Sequence, residues 1–162
     1  VDNDYRIGIG VDFHKFEPGE GITLGNVFID CNLSIVAHSD GDIVLHAISD
    51  ALLGAGGLRD IGYYFPDTDE KNKDLSSVKI LEESLNLLKQ KDLQPRNIDF
   101  VVVCEQPKIQ PHVEDLKKSL SKILNIDASF VGVKATTAED MGIIGEGNGI
   151  AVFAIASLEN IQ

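Results

Sequence analysis

Three residues in the first third of the chain have the types and spacing of a metal-binding site. Asp12 and His14 alternate within residues 5–15, where the apolar residues also fall on every second position. This period of two is typical of a β-strand and places the carboxylate and the imidazole on one face. His46 lies in a segment with apolar residues at helical spacing, and one Asp with two His can bind Zn²⁺ and leave its fourth position open. The alternative is a polar strand face and a core histidine with ordinary hydrogen-bond partners.

Three other segments have groups that favour phosphate or a nucleotide. His38-Ser39-Asp40-Gly41-Asp42 precedes the predicted helix, where free N–H groups and the helix dipole attract an anion. Lys134-Ala135-Thr136-Thr137-Ala138-Glu139 offers an ammonium, two hydroxyls and a carboxylate to a diphosphate with Mg²⁺. Pro107-Lys108-Ile109-Gln110-Pro111 follows a strand, at an edge where α/β folds often bind ligands. Each pattern is equally typical of a helix cap, a turn or a structural loop.

The elements that must position these residues are indicated by hydrophobic periodicity. A Ser39–Asp42 capping box predicts the start of a helix that ends at the glycines of 54–57, and residues 57–76 are predicted to be a functional or mobile loop. The order of elements predicts one α/β (α+β) layered domain over 1–162, with a mixed sheet and helices packed on one face. The remaining predicted strands are 5–15, 22–24, 27–29, 100–104, 130–135 and 150–156, and the remaining predicted helices are 77–91 and 112–124.

Composition excludes several classes of protein. A chain of 162 residues that is 43% hydrophobic can bury one core, and it has no apolar run near the ~18 residues of a membrane span. The net charge of -12 has the wrong sign for nucleic acid or anionic lipid. Cys31 and Cys104 form no CxxC motif, which argues against a disulfide scaffold or a zinc knuckle. No serine or cysteine has the surroundings of a catalytic nucleophile.

Taken together, the motifs closely resemble the 2-C-methyl-D-erythritol 2,4-cyclodiphosphate synthase family. They occur in order over nearly the whole chain, so a chance match is improbable. The motifs are Asp12-Phe13-His14, Ala37-His38-Ser39-Asp40-Gly41-Asp42 with Leu45-His46, Asp60-Ile61-Gly62 with Phe65-Pro66-Asp67-Thr68-Asp69, Pro107-Lys108, and Lys134-Ala135-Thr136-Thr137 with Glu139.

The resemblance implies a metal-dependent phosphorus–oxygen lyase of the non-mevalonate isoprenoid pathway. Such enzymes convert 4-diphosphocytidyl-2-C-methyl-D-erythritol 2-phosphate into the cyclic 2,4-diphosphate and CMP, and their active sites lie between the subunits of a homotrimer. The implied metal ligands are Asp12, His14 and His46 for Zn²⁺, and Glu139 for Mg²⁺ or Mn²⁺. Neither nucleic acid nor membrane is an expected partner.

The resemblance also implies roles for residues outside the metal ligands. Asp60, Thr137 and Lys134 would take part in catalysis. The implied substrate-binding residues are His38, Ser39, Asp60, Gly62, Phe65, Asp67, Cys104, Lys108, Ile109, Gln110, Ala135, Thr136 and Thr137.

The chain departs from the family pattern in the stretch 145–149. Many relatives have Arg where this chain has Glu146, and an acidic residue where it has Asn148. In relatives these side chains close a cavity on the threefold axis that can hold an isoprenoid diphosphate. We do not expect Glu146 to favour that anion.

Two other functions and two locations remain open from the sequence. A zinc-dependent phosphohydrolase would use the same three ligands to activate water, and a non-catalytic nucleotide-binding module would use the histidines structurally. Eleven Lys against three Arg and the lack of a start methionine suggest a processed protein of a plastid-type organelle, the apicoplast or the chloroplast stroma. The alternative is a bacterial cytoplasm.

Overall fold

The computed structural model describes residues 5–37, 39–66, 68–69, 72 and 75–161, so the predictions for His38 and Asp67 lie outside the described residues. The strands are β1 (Arg6–Pro18), β2 (Ile22–Leu24), β3 (Val27–Ile29), β4 (Leu33–Ile35), β5 (Leu93–Val103), β6 (Val131–Thr136) and β7 (Gly149–Asn160). The helices are α1 (Ile43–Ala55), α2 (Ile61–Tyr64), α3 (Ser77–Lys89), α4 (Val113–Leu124) and α5 (Gly142–Gly145).

The main sheet has five strands in the order β4-β1-β7-β5-β6. Only the β5–β6 pair is parallel, so the sheet is mixed. Because β7 runs antiparallel to both β1 and β5, the strands β1, β5 and β6 all point in the same direction. Their carboxyl ends therefore share one edge of the sheet. The predicted nucleotide-binding and phosphate-binding segments that follow β5 and β6 lie at this edge.

The predicted layered α/β class is confirmed. Helix α1 packs on β1 and β7, α3 packs on α1 and β5, and α4 packs against β6. These contacts bury the apolar sides of the helices and one face of the sheet in a single core. Burial of this apolar surface is the main contribution to stability in such a layer.

Several element boundaries differ from the predictions. Helix α1 begins at Ile43 with Asp42 as its N-cap, so the predicted capping box at Ser39 is wrong. Strand β4 and the short helices α2 and α5 were not predicted, and α2 lies inside the predicted loop 57–76. The predicted hairpin of 22–24 with 27–29 is confirmed, with positive φ at Gly25 and Asn26 as a two-residue type I′ turn requires.

The other face of the sheet is apolar and exposed. On β1 it consists of alternate residues, and it continues across the neighbouring strand, where Ile155 is 49% exposed and lies opposite Ile9, which is 65% exposed. The apolar period of β1 therefore marks the face turned away from the helices. The exposed residues of this face are Ile7, Ile9, Val11, Phe13, Phe153 and Ile155.

No helix within the described ranges combines the length and the apolar character needed to cross a membrane.

Candidate metal centre

Two glycines allow α1 to lie directly on the backbone of β1. A Cβ at Gly10 would lie 1.9 Å from the carbonyl oxygen of Ala47, and one at Gly8 would lie 2.0 Å from that of Ala51. The obstructing atoms are helix backbone, which cannot rotate away as a side chain can. Only glycine permits this approach, and it brings the first turns of α1 next to the second half of β1.

Asp12, His14 and His46 meet at this contact. Nδ1 of His46 lies 3.2 Å from Oδ2 of Asp12, and Nε2 of His14 lies 3.4 Å from the same oxygen. One ligand atom from each residue can be chosen so that all three lie within 4.8 Å of one another. The three side chains are 13–24% exposed, so the cluster is largely but not completely buried. Sequence reasoning predicted this cluster, and the structure brings its three members together.

The orientation of His14 turns a lone pair toward the cluster. Its Nδ1 lies 2.8 Å from the carbonyl oxygen of Val36, which can only accept, so Nδ1 carries the hydrogen. The neutral ring then presents the lone pair of Nε2 to the carboxylate of Asp12. Two acceptors at this distance repel each other unless a proton or a cation lies between them.

The electrostatics of the cluster favour a cation. Burial raises the pKa of Asp12, but the hydrogen bonds and charges of His14 and His46 outweigh burial and hold that pKa at about 2. When protonated, His14 can donate from Nε2 to Asp12, and this hydrogen bond raises the pKa of His14 above its ordinary value. The carboxylate is thus ionised and favours positive charge on His14. One carboxylate oxygen and two imidazole nitrogens fit a divalent metal such as Zn²⁺, with a fourth position left open.

The short helix α2 is fastened to α1 beside this cluster. Asp50 lies one turn after His46 on α1, and its carboxylate accepts a hydrogen bond of 2.8 Å from the backbone N–H of Ile61. Burial raises the pKa of Asp50. Asp60 caps α2, Gly62 is exposed within it and Phe65 ends it. These three predicted substrate-binding residues therefore lie in a single turn adjacent to the metal ligands.

The segment before α1 contains the helix cap, and its predicted role as an anion site stays a prediction. Asp42 is 1% exposed and its carboxylate accepts from the N–H of Leu45, so the protein itself satisfies this part of the helix end. Ser39 is half-buried and its hydroxyl is 3.4 Å from the N–H of Gly41. Helix capping therefore accounts for Asp42, while the assignment of Ser39 to substrate binding is not tested by this contact.

A second group of predicted residues lies where β5 and β6 end. The two strands are parallel, and the N–H of Cys104 donates to the carbonyl oxygen of Thr136 at 3.1 Å. Lys108 and Gln110 are exposed in the following loop, while Ile109 is buried. Ala135 and Thr136 are exposed at the end of β6. The predicted cytidine-binding residues are therefore neighbours.

The turn after β6 is held by its own polar groups. The hydroxyl of Thr137 donates to Oε1 of Glu139 at 2.9 Å, and Glu139 has a φ of 51°. The N–H of Ala138 donates to Glu105 at 2.9 Å, which ties the turn to the strand end of β5. Sequence reasoning did not identify Glu105. Its only signal was its position directly after a buried strand.

Two side chains of this second group have specific surroundings. Burial raises the pKa of the Cys104 thiol to about 11, so it is not a thiolate nucleophile at neutral pH. The ammonium of Lys134 forms an ion pair with the carboxylate of Asp99 on the adjacent strand. The catalytic role of Lys134 stays a prediction.

The two groups lie apart within one chain. His14 is paired with Ile150 at the beginning of β7, and Thr136 is paired with Val103 at the end of β5. Both positions are at the same edge of the sheet. Strands β1 and β6 are separated by β7 and β5, which corresponds to about 14 Å across the sheet at ordinary strand spacing.

The stretch that departs from the family pattern follows α5. Glu146 is exposed and ends that helix, and the side-chain amide of Asn148 lies 3.4 Å from its carboxylate. Whether a cavity beside it holds an isoprenoid diphosphate stays a prediction.

Comparison with known proteins identifies the family. A family profile described as the YgbB family matches residues 5–159. The chain belongs to the YgbB family. All the predicted metal and substrate residues, from Asp12 to Glu139, fall within the YgbB match.

Relatives in the family have a consistent description. The chain is 50% identical over 151 residues to 2-C-methyl-D-erythritol 2,4-cyclodiphosphate synthase of Leptospira borgpetersenii, covering 92% of this chain and 94% of the relative. A solved CDP complex of IspF from Plasmodium falciparum is 37% identical, has a TM-score of 0.86 and matches all of both chains. The Plasmodium vivax synthase structure is 32% identical with a TM-score of 0.82, covering 98% of this chain and 99% of that one.

Proposed function

We propose that this chain converts 4-diphosphocytidyl-2-C-methyl-D-erythritol 2-phosphate into 2-C-methyl-D-erythritol 2,4-cyclodiphosphate and CMP. The observation that carries the proposal is the convergence of Asp12, His14 and His46 in a chain that belongs to the YgbB family. The relatives named as this synthase match nearly the whole chain, and the CDP complex of one of them supports a cytidine nucleotide as ligand.

The reaction requires no nucleophile from the protein. An oxygen of the 2-phosphate attacks the β-phosphorus of the same molecule, forming one P–O bond as the bond to the CMP oxygen breaks. No water is consumed, and no protein side chain becomes bonded to phosphorus. The buried Cys104 thiol, with a pKa of about 11, agrees with such a mechanism.

The protein's part is to hold both ends of a flexible substrate. Ser39, Asp60 and Gly62 would bind the methylerythritol phosphate beside the metal ligands. Thr137 would bind phosphate, and Lys108 would reach the cytidine end. Holding the phosphates in attack geometry can lower the barrier by roughly 7 kcal/mol or more.

Two cations are proposed, one at each group of residues. Asp12, His14 and His46 would hold Zn²⁺, because a carboxylate with two imidazoles is a zinc-type donor set. Glu139 would hold Mg²⁺ or Mn²⁺, because its carboxylate is exposed on the turn beside Thr137. When bound at these residues, the cations would supply positive charge that offsets both the substrate phosphates and a net charge of -12.

We further propose that residues 1–162 form one domain that assembles as a homotrimer. The exposed apolar face of the sheet is the kind of surface that packs against another subunit. The separation of the two residue groups within one chain also supports the trimer, because a neighbouring subunit could supply the missing half of each site.

For location we propose a plastid-type organelle, supported by the two Plasmodium structures. The bacterial relatives support the alternative, a bacterial cytoplasm.

Phosphorus NMR of the purified protein with the cytidine substrate and Mg²⁺ tests the function. We expect CMP and a cyclic diphosphate, lost when zinc is stripped and restored when zinc is returned. His14→Ala should abolish turnover while the protein keeps its fold and assembly. Glu139→Gln should raise the Mg²⁺ requirement and leave zinc content unchanged.

Other products would reject the cyclase. Ring-opened phosphate without cyclic diphosphate would establish the phosphohydrolase. An unchanged spectrum with folded, metal-replete protein would support the remaining hypothesis, a non-catalytic nucleotide-binding module.

A further inference from the structure

Ser77, the first residue of α3, lies beside the metal ligand that α1 provides. Its hydroxyl oxygen is 2.8 Å from Nε2 of His46, on the side of the ring opposite to Asp12. Ser77 is fully buried. The same hydroxyl is hydrogen-bonded to the carboxylate of Asp40, and the backbone N–H of Ser77 donates to that carboxylate at 2.9 Å.

Counting hydrogens along this chain of contacts indicates which nitrogen of the imidazole carries the hydrogen. A carboxylate only accepts, so the single hydroxyl hydrogen of Ser77 goes to Asp40. The hydroxyl oxygen is then left to accept from His46. The neutral ring has one hydrogen and two acceptors face it, Oδ2 of Asp12 at 3.2 Å from Nδ1 and the Ser77 oxygen at 2.8 Å from Nε2. The shorter contact favours Nε2 for the hydrogen, which leaves the lone pair of Nδ1 facing Asp12 and the metal position.

We propose that Ser77 and Asp40 are positioning residues that hold His46 in its metal-binding tautomer. Val36 does the same for His14 through its backbone carbonyl. Each histidine would thus have its metal-binding tautomer set by a different partner. For His14 the partner is a backbone carbonyl, and for His46 it is a serine–aspartate pair. Partners behind a metal ligand typically contribute 10- to 100-fold to metal affinity.

Asp40→Asn separates this role from packing, because the amide has nearly the same shape as the carboxylate. Its oxygen can accept from the Ser77 N–H while its NH₂ donates to the Ser77 hydroxyl. The hydroxyl hydrogen would then point at Nε2 of His46 and move the ring hydrogen to Nδ1. That nitrogen would no longer offer a lone pair to a cation.

The experiment compares wild type, Ser77→Ala, Asp40→Asn and Ser84→Ala. Ser84 is the matched control, because it is buried on the same helix and donates only to the backbone carbonyl of Ile80. Nitrogen-15 NMR of the metal-free proteins at about pH 9, where an ordinary imidazole is neutral, gives the His46 tautomer. Competition with a chelator gives the zinc dissociation constant.

We expect wild type and Ser84→Ala to carry the hydrogen on Nε2 and to bind zinc equally. Asp40→Asn should show the Nδ1–H form, Ser77→Ala should lose the preference, and both should bind zinc about 10- to 100-fold more weakly. The same tautomer and zinc affinity in all four proteins would overturn the proposal. If Ser77→Ala does not fold, Asp40→Asn decides between the outcomes. Asp40 is an exposed residue, so we expect its substitution to be compatible with folding.

The inference rests on the proposed metal centre. Different results would reject the zinc assignment and the positioning role of Ser77 and Asp40. Absence of zinc binding by the wild type would reject the zinc assignment. Zinc binding unaffected by the variants would reject the positioning role alone, and the tautomer in metal-free protein tests that role without any metal.

Discussion

Asp42 shows how one buried side chain can join two elements at the residue scale. Its carboxylate accepts from the N–H groups of Gly25 and Asn26 in the hairpin turn at 2.8 and 2.7 Å, and from Leu45 in α1 at 3.1 Å. The three hydrogen bonds lower its pKa, but burial dominates and raises it to about 6. The hairpin is therefore held to α1 by a group that titrates near neutral pH.

This raised pKa predicts a pH dependence of stability. A folded carboxyl that titrates near 6 instead of 3.8 binds protons more tightly than in the unfolded chain, so its contribution to stability falls as pH rises through 6. Between pH 7 and pH 5 the metal-free wild type should gain about 1 kcal/mol of unfolding free energy relative to Asp42→Asn. Urea unfolding at several pH values measures this difference.

A matched control is Asp127→Asn. Asp127 caps a short helical turn in the same way but is exposed, and the hydrogen bonds of Ser129 lower its pKa. Its profile between pH 5 and pH 7 should parallel the wild type. A parallel profile for Asp42→Asn as well would contradict the prediction.

Residue types and spacing indicated the three metal ligands as one of two interpretations, because Asp12 and His14 share a strand face and His46 lies on a helix, and the family resemblance turned that interpretation into the prediction. They were not sufficient for Ser77 and Asp40 as partners of His46. That contact depends on where α3 begins in space, and 31 positions separate Ser77 from the histidine. No local pattern contains this information.

At the scale of elements, the contact between α1 and β1 determines the geometry of the metal centre. Gly10→Ala should therefore affect both stability and metal binding. Its methyl group would meet the carbonyl of Ala47 at 1.9 Å and force the helix away from the strand. We expect a loss of about 1–3 kcal/mol of unfolding free energy and weaker zinc binding, measured by urea unfolding and chelator competition.

Gly54→Ala is the control on the same contact. A Cβ there would meet only Gly8 at 3.9 Å and Ile9 at 4.0 Å, which is ordinary contact. In a helix, alanine is favoured over glycine by up to about 1 kcal/mol, so this variant should be as stable as wild type or more so. Equal stability of both variants would show that α1 can shift without cost.

Periodicity predicted that the longer elements exist, because each presents an apolar side to one core, but it assigned only residues 100–104 to the strand that spans Leu93–Val103. It could not predict β4, which has three half-buried residues and exists through pairing with the distant end of β1. It also placed the start of α1 too early, because a Ser–Asp spacing fits a cap and Asp42 is the residue whose carboxylate reaches the N–H of Leu45. Strand pairing and helix capping depend on the spatial positions of the partner residues, which a local sequence pattern does not contain.

At the scale of the molecule, the exposed apolar sheet face is expected to hold the subunits together. Ile9→Asp would place a charge at the middle of this face, opposite Ile155. Burying an unpaired charge is unfavourable, so we expect folded monomers without cyclisation activity. Analytical ultracentrifugation and circular dichroism give the mass and the fold.

Phe28→Asp provides the comparison. Phe28 is 64% exposed, nearly the same as Ile9 at 65%. Phe28, however, lies on the two-stranded sheet and not on the five-stranded one. This variant should keep the mass of the wild type. An Ile9→Asp protein that also kept this mass would exclude the sheet face as the subunit contact.

The separation of the two residue groups across the sheet has a genetic consequence. In the proposed trimer, each complete site takes its zinc ligands from one copy and its cytidine-side residues from the next. A cell that expresses one gene copy with His14→Ala and another with Glu139→Ala would assemble some sites from the intact half of each. Two alleles that are each inactive alone would then support growth together.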